Sequence, residues 1–171
     1  MNISELLMAE LKRESVSTKK LLECVPEGKN DWKPHEKSTE LSKLASHVAE
    51  IPHWIEKVLV YDEFDMVATP FERKVCNSRE ELLDYFETKL NAAVAALEKA
   101  NDEDLAKDWT FRAGDHVILN SSKYNAIRSM GLNHQIHHRA QLGVYLRLLD
   151  IAIPGVYGPS ADDRARMEAQ K

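Results

Sequence analysis

Ser122-Lys123-Tyr124-Asn125-Ala126-Ile127-Arg128-Ser129-Met130-Gly131-Leu132-Asn133-His134-Gln135-Ile136-His137-His138-Arg139-Ala140-Gln141-Leu142-Gly143-Val144-Tyr145-Leu146-Arg147-Leu148-Leu149-Asp150 reads as one long helix. Apolar residues recur along it at helical spacing, and Ile151-Ala152-Ile153-Pro154-Gly155 stops it. His134 and His138 are an i, i+4 pair, so they project from one face about one turn apart. Ile127, Met130, Gly131, Gln141, Tyr145, Leu148 and Leu149 share that face. The two imidazoles therefore point into an apolar stripe, the side expected to meet a core. An unmet buried polar group costs about 1–3 kcal/mol, and one metal ion would satisfy both rings. His137 stands to one side of the pair, and Arg139 points away from it.

Three more segments carry helical periodicity. The first runs from about Ser4 to Glu23 and ends before Pro26 and Gly28. The second runs from about Ser38 to Tyr61, with Pro52 expected to kink or divide it near Ile51. The third starts at Ser78-Arg79-Glu80-Glu81, which matches a capping box, and reaches about Lys99. Four such helices predict an all-α fold, a four-helix bundle over residues 1–155 with a polar tail over 156–171. Trp109 to Leu119, with Ala113-Gly114-Asp115 at its centre, predicts a short hairpin or extended loop between the third and fourth helices. The connections are longer than ordinary bundle loops, which implies a crossover or loops that cover something.

A third ligand must come from another helix. His47 shares a face with Leu44, Ile51 and Trp54 and points inward on the second helix. His53 falls on the opposite, solvated side; His35 follows Pro34 in a loop, and His116 sits in the hairpin. His47, His134 and His138 are thus the candidate metal ligands. Positions 131 and 135, three before each helical histidine, hold Gly and Gln, which argues against a di-iron carboxylate bundle. Three neutral imidazoles suit Zn²⁺ or Ni²⁺ better than Mg²⁺ or Ca²⁺, and a three-residue set leaves an open position for water or substrate. Gln141, on the same face, is placed to hydrogen-bond a ligand histidine or bound water. Glu50, one turn from His47, is placed to accept its free N–H. Tyr145 and Trp54 are read as core.

Composition narrows the class. The chain has 171 residues, 23 Lys plus Arg against 28 Asp plus Glu, and a net charge of −5. With no basic run longer than a pair such as Lys19-Lys20, nucleic acid is not an expected partner. No stretch is long and apolar enough for a membrane span, and the N-terminal residues lack a signal-peptide pattern. Cys24 and Cys76, without a partner motif, read as reduced thiols of a cytoplasmic protein.

Trp32-Lys33-Pro34-His35-Glu36-Lys37-Ser38, Leu44-Ala45-Ser46-His47-Val48-Ala49-Glu50, and Asn133 to Leu142 together resemble the DinB/YfiT-like superfamily of bacterial metalloenzymes. The likeness runs from the first helix to Leu149; one departure is Ala140, where many members have Gly. The resemblance implies an up-down-down-up bundle and one divalent metal ion on three histidines, by motif His47, His134 and His138. It also implies chemistry on a small-molecule substrate. Characterised relatives are thiol-dependent transferases and isomerases that use bacillithiol or mycothiol. An S-transferase or hydrolase acting on small electrophiles in stress or detoxification is the leading expectation. A non-catalytic metal-binding or interaction bundle is the alternative. Leu132, Ile136, Ala140 and Gly143 form a second apolar stripe opposite the histidines, which predicts a homodimer contact.

Overall fold

A computed structural model describes residues 2–69 and 73–170. Helix α1 spans Ile3–Leu22, capped by Asn2, whose side chain accepts from Glu5 N while the Glu5 carboxylate returns to Asn2 N. Helices α2 (Leu41–Glu50) and α3 (His53–Val60) are the two halves of one predicted helix, parted at Ile51-Pro52. Helix α4 spans Arg79–Lys99. Ser78 Oγ caps it by accepting from Glu81 N at 3.2 Å. The expected reciprocal bond is displaced by one residue: the Glu81 carboxylate accepts from Asn77 N at 3.0 Å.

The expectation of an all-α bundle with at most a hairpin is corrected by a three-stranded sheet in the order β1-β2-β3. Strands β2 (Asp108–Ala113) and β3 (His116–Ser122) form the predicted hairpin. Gly114, with φ of 59°, supplies the left-handed turn residue that a Cβ would penalise. Strand β1 (Glu63–Asp65) pairs parallel with β2, and the sequence reading left it undetected. Three residues cannot display a period-two pattern, and their pairing partner lies over 40 positions away. Arg112 on β2 holds this edge by donating to Glu63 at 2.9 Å. A short helix α5 (Asp102–Ala106) precedes the hairpin.

After β3 the chain is helical from Lys123 to Leu148, but not uniformly. Helix α6 (Lys123–Ala126) leads into a π-helical segment, Ile127–Asn133, and then into α7, His134–Leu148. The wide turn brings Gly131 so close to α3 that a Cβ there would lie 2.5 Å from Ile55 Cγ1. The tail, expected as a polar segment through residue 171, forms helix α8 (Ala161–Glu168), and residue 171 lies outside the described residues. Arg147 pairs with Asp162 and Tyr157 reaches Glu14, so the segment lies against the helices.

Two hydrophobic clusters fill the interior. One gathers Leu7, Leu11, Ile55, Leu97, Trp109, Phe111, Ile127 and Leu132 at the sheet end. The other gathers Leu21, Leu22, Leu44, Val48, Phe86, Leu142 and Leu146. Leu132, expected in a subunit contact, is instead buried in the chain's own core beside α1. The sheet, α1 and α3 enclose this half of the last helix, so it is apolar on both sides without needing a second chain.

Two polar side chains lock α7. Pro52 has no N–H, so the Val48 carbonyl lacks its normal i+4 donor. Buried Gln135 donates to that carbonyl through Nε2 at 3.2 Å. One turn on, Arg139 is 2% exposed and donates to Glu14 Oε2 at 2.8 Å, to the Glu14 carbonyl at 3.0 Å, and to Tyr157 Oη at 2.9 Å. Burial raises the Glu14 carboxyl, but the bonds from Tyr157 and Arg139 outweigh it and hold the group below its ordinary range.

Removing one partner of a buried ion pair strands the other charge. Arg139→Ala should therefore lower unfolding free energy by about 3–5 kcal/mol in a urea titration. Gln135→Leu should cost about 1–3 kcal/mol by orphaning the Val48 carbonyl. A loss under about 0.5 kcal/mol for both would show that apolar packing alone orients α7.

Candidate metal centre

Helix α2 carries His47 in its last turn and α7 begins with His134. The two helices pack together, and their imidazoles meet. Nε2 of His47 lies 3.2 Å from Nε2 of His134. Ring centroids are 4.9 Å apart for His47–His134, 4.6 Å for His47–His138 and 4.6 Å for His134–His138. The three rings thus form a nearly equilateral cluster, with one nitrogen from each all within 4.8 Å.

Hydrogen bonds orient two of the rings. At the end of the π-helical segment the His134 backbone N–H donates to the Gly131 carbonyl. The Met130 carbonyl, one turn back, accepts from His134 Nδ1 at 3.2 Å. His138 Nδ1 donates to Gln141 Oε1 at 2.7 Å, and the Gln141 amide reaches His137 Nε2 at 3.1 Å. With both Nδ1 atoms donating, the Nε2 atoms of His134 and His138 are left unprotonated, the state a metal ligand needs. His47 Nδ1 is buried without a hydrogen-bond partner.

The electrostatics favour neutral rings. Burial pushes the His47 imidazolium down to about 3, and the neighbouring His138, His134 and Arg73 act in the same direction. Burial also lowers His134 and His138. Three neutral nitrogen donors in one cluster, at least two of them pre-oriented, fit a divalent ion of borderline softness. Hard-cation sites call for oxygen donors, and none of the three ligands provides one.

The cluster lines a cleft of about 1130 Å³. Trp54, Phe64, Phe111 and Met130 form an apolar wall, and Tyr145, Gln141, Lys43 and Arg73 reach its rim. Phe64 and Phe111 come from β1 and β2, so the sheet builds one side of the site. Trp54 meets Phe64 and Phe111 edge-on, at centroid distances of 5.5 and 5.3 Å.

Several predicted positions take other roles. Glu50 lines the cleft and is buried, but its carboxylate accepts from Tyr85 Oη at 2.8 Å and not from His47. The α2 helix aims its side chain towards α4, which carries Tyr85. Tyr145 is half-buried, its hydroxyl donating to the Thr39 carbonyl. His53 pairs with Glu56 at 2.7 Å, and His35 and His116 stay exposed and outside the cluster. Sequence reasoning overlooked Arg73, Gln135 and the role of Arg139. Pro52 was the available signal for Gln135, because a carbonyl deprived of its donor needs a substitute. Arg73 carried no signal, since nothing local links it to the histidines.

The DinB family profile matches residues 1–170, and the chain belongs to that family. It is 27% identical to YjoA of Bacillus subtilis over 132 residues, covering 76% of this chain and 80% of that one. It is 28% identical to YrdA of Bacillus subtilis over 99 residues, covering 57% and 56%. A DinB-like protein from Bacillus cereus superposes with a TM-score of 0.69 at 23% identity, over 91% of this chain and 98% of that one. The YjoA crystal structure gives 0.69 at 20% identity, over 88% and 97%. The fold is DinB-like, and the family and the cluster together mark a site that could hold a metal ion.

The lowered imidazole values set a pH dependence. Unfolded histidines titrate near 6.5, so below that pH the unfolded chain binds more protons than the folded one. Stability should be full above about pH 6.5 and fall towards pH 4. Melting of chelator-treated protein across that range measures it. The triple variant His47→Gln, His134→Gln, His138→Gln should flatten that part of the profile, and an unchanged slope would assign it elsewhere.

Proposed function

We propose that this chain is a metal-dependent enzyme whose cleft activates a small nucleophile, a low-molecular-weight thiol or water, against a small electrophile. An S-transferase or hydrolase of stress or detoxification chemistry is the reading favoured here. The observation that carries it is the convergence of three neutral imidazoles on the wall of a large open cleft. A structural metal site is closed by four protein ligands, whereas three ligands beside a cavity leave room for a reactant. That geometry favours catalysis over the non-catalytic alternative.

His47, His134 and His138 would hold one divalent ion per chain, with Zn²⁺ or Ni²⁺ suited to the donors. When bound, such an ion lowers the pKa of a coordinated thiol or water. The chain's own residues do the rest. Met130 and Gln141 keep two Nε2 lone pairs aimed at the centre. Trp54, Phe64 and Phe111 exclude water from one side. Glu50, anchored by Tyr85, offers a buried carboxylate on the cleft wall that can take the nucleophile's proton. This reading takes α1, α2 with α3, α4, and α6 with α7 as the four helices of an up-down-down-up bundle, in a cytoplasmic protein with reduced Cys24 and Cys76.

A homodimer is part of the same reading. Beside α7 lies an apolar groove of about 420 Å³ that includes Leu21, Ile136, Ala140, Gly143 and Leu148, and Leu148 is 57% exposed. Leu148→Glu should shift a dimer towards monomer in sedimentation without altering metal content; a monomeric wild type at micromolar concentration sinks this part.

Metal analysis of untagged protein tests the centre. About one Zn or Ni per chain is expected in wild type and a loss of at least about tenfold in affinity for His134→Ala. Full retention by that variant would falsify the ligand assignment. Metal-dependent conjugation of bacillithiol or another small thiol to a model electrophile such as 1-chloro-2,4-dinitrobenzene separates transfer from simple binding. Stoichiometric metal with no turnover of thiol or ester substrates supports the non-catalytic alternative.

A further inference from the structure

We propose that the cleft takes a small molecule with an apolar, aromatic-sized body and an acid group, and that Arg73 holds the acid. This deepens the reading of the cleft as a substrate site by naming the substrate class.

The first observation is the sign of the lining. Among the described residues, Lys43, Arg73 and Lys74 all reach the cleft, against a single carboxylate, Glu50. Glu50 is 3% exposed and its Oε1 already accepts from Tyr85. A cationic lining runs against the net charge of −5 of the chain. The second observation is that these cations differ. Lys43 pairs with Glu40 at 3.0 Å and Lys74 with Glu81 at 2.9 Å. Arg73 makes no hydrogen bond or ion pair among the described residues.

The third observation is where Arg73 stands. It lines the same cleft as His47, His134 and His138. A guanidinium there opposes both imidazolium and any divalent cation, and the three ligands carry no negative charge to offset it. An anion bound between them removes that conflict. The guanidinium fork matches the two oxygens of a carboxylate. Trp54, Phe64 and Phe111 line the same cleft and make part of it apolar, which suits an apolar body. A volume of about 1130 Å³ accommodates both parts, since sites for drug-sized ligands run from about 300 to 1,000 Å³.

The test compares 2-naphthoate with its neutral isostere 2-naphthamide by calorimetry, on the untagged full chain as purified and after dialysis against chelator. Wild type should bind the naphthoate about tenfold more tightly in both preparations, the scale of one charge-assisted hydrogen bond. In Arg73→Gln the preference should fall to about twofold, with naphthamide affinity unchanged. Arg73→Lys should keep an intermediate preference, having charge without the fork. Arg73 is exposed, and equal melting temperatures for the variants check that the fold survives. Equal affinities for the two probes in wild type, or a full preference retained in Arg73→Gln, overturn the proposal. Metal content of the same samples keeps the two readings apart. A wild type that is metal-free as purified and prefers naphthoate overturns only the metal centre, and one that is metal-loaded as purified and does not discriminate overturns only the acid site.

Discussion

The rotation of α7 about its own axis is the constraint on which the site depends. His134 and His138 are useful only if their face meets α2, and a helix with apolar residues on two sides has no hydrophobic reason to choose one rotation. Gln135 and Arg139 make the choice. They stand an i, i+4 step apart, next to the histidines in sequence, and each reaches a specific acceptor on another helix. Gln135 fits only opposite the carbonyl that Pro52 leaves without a donor, and Arg139 fits only opposite buried Glu14. Apolar packing would tolerate slippage; a stranded guanidinium or carboxylate would not.

The π-helical turn works with this lock. It lets Gly131 approach Ile55 within the space of a missing Cβ, and it carries the Met130 carbonyl that accepts from His134 Nδ1. One irregular segment therefore contributes both to the packing of the last helix on α3 and to the orientation of a candidate ligand. The extra residue in the turn is accommodated by close packing, and wide turns of this kind recur at functional sites.

The cleft is where helices and sheet combine. The helices supply nitrogen donors and the strands supply Phe64 and Phe111, while the lining brings together three cations around a cluster of neutral ligands. Such a site discriminates by charge as well as shape, because fields are strong where water is partly excluded.

Much of this was legible in the sequence. Helical periodicity revealed the four long helical segments but not α5 or α8, Pro52 the break between α2 and α3, and Gly114 the hairpin turn. The i, i+4 spacing of His134 and His138, with inward His47, picked out the cluster, because local pitch alone decides which side chains share a helix face. Gln141 as a partner of a histidine followed from the same geometry. What only the tertiary structure decided involved contacts between distant residues. Strand β1 exists through pairing with β2, Glu50 chose Tyr85 over His47, and Leu132 entered the chain's own core. Arg73 came to the cleft from a loop with no periodic pattern. Periodicity reports the direction of a side chain within its own element; the partner it meets there depends on how elements far apart in the chain pack together.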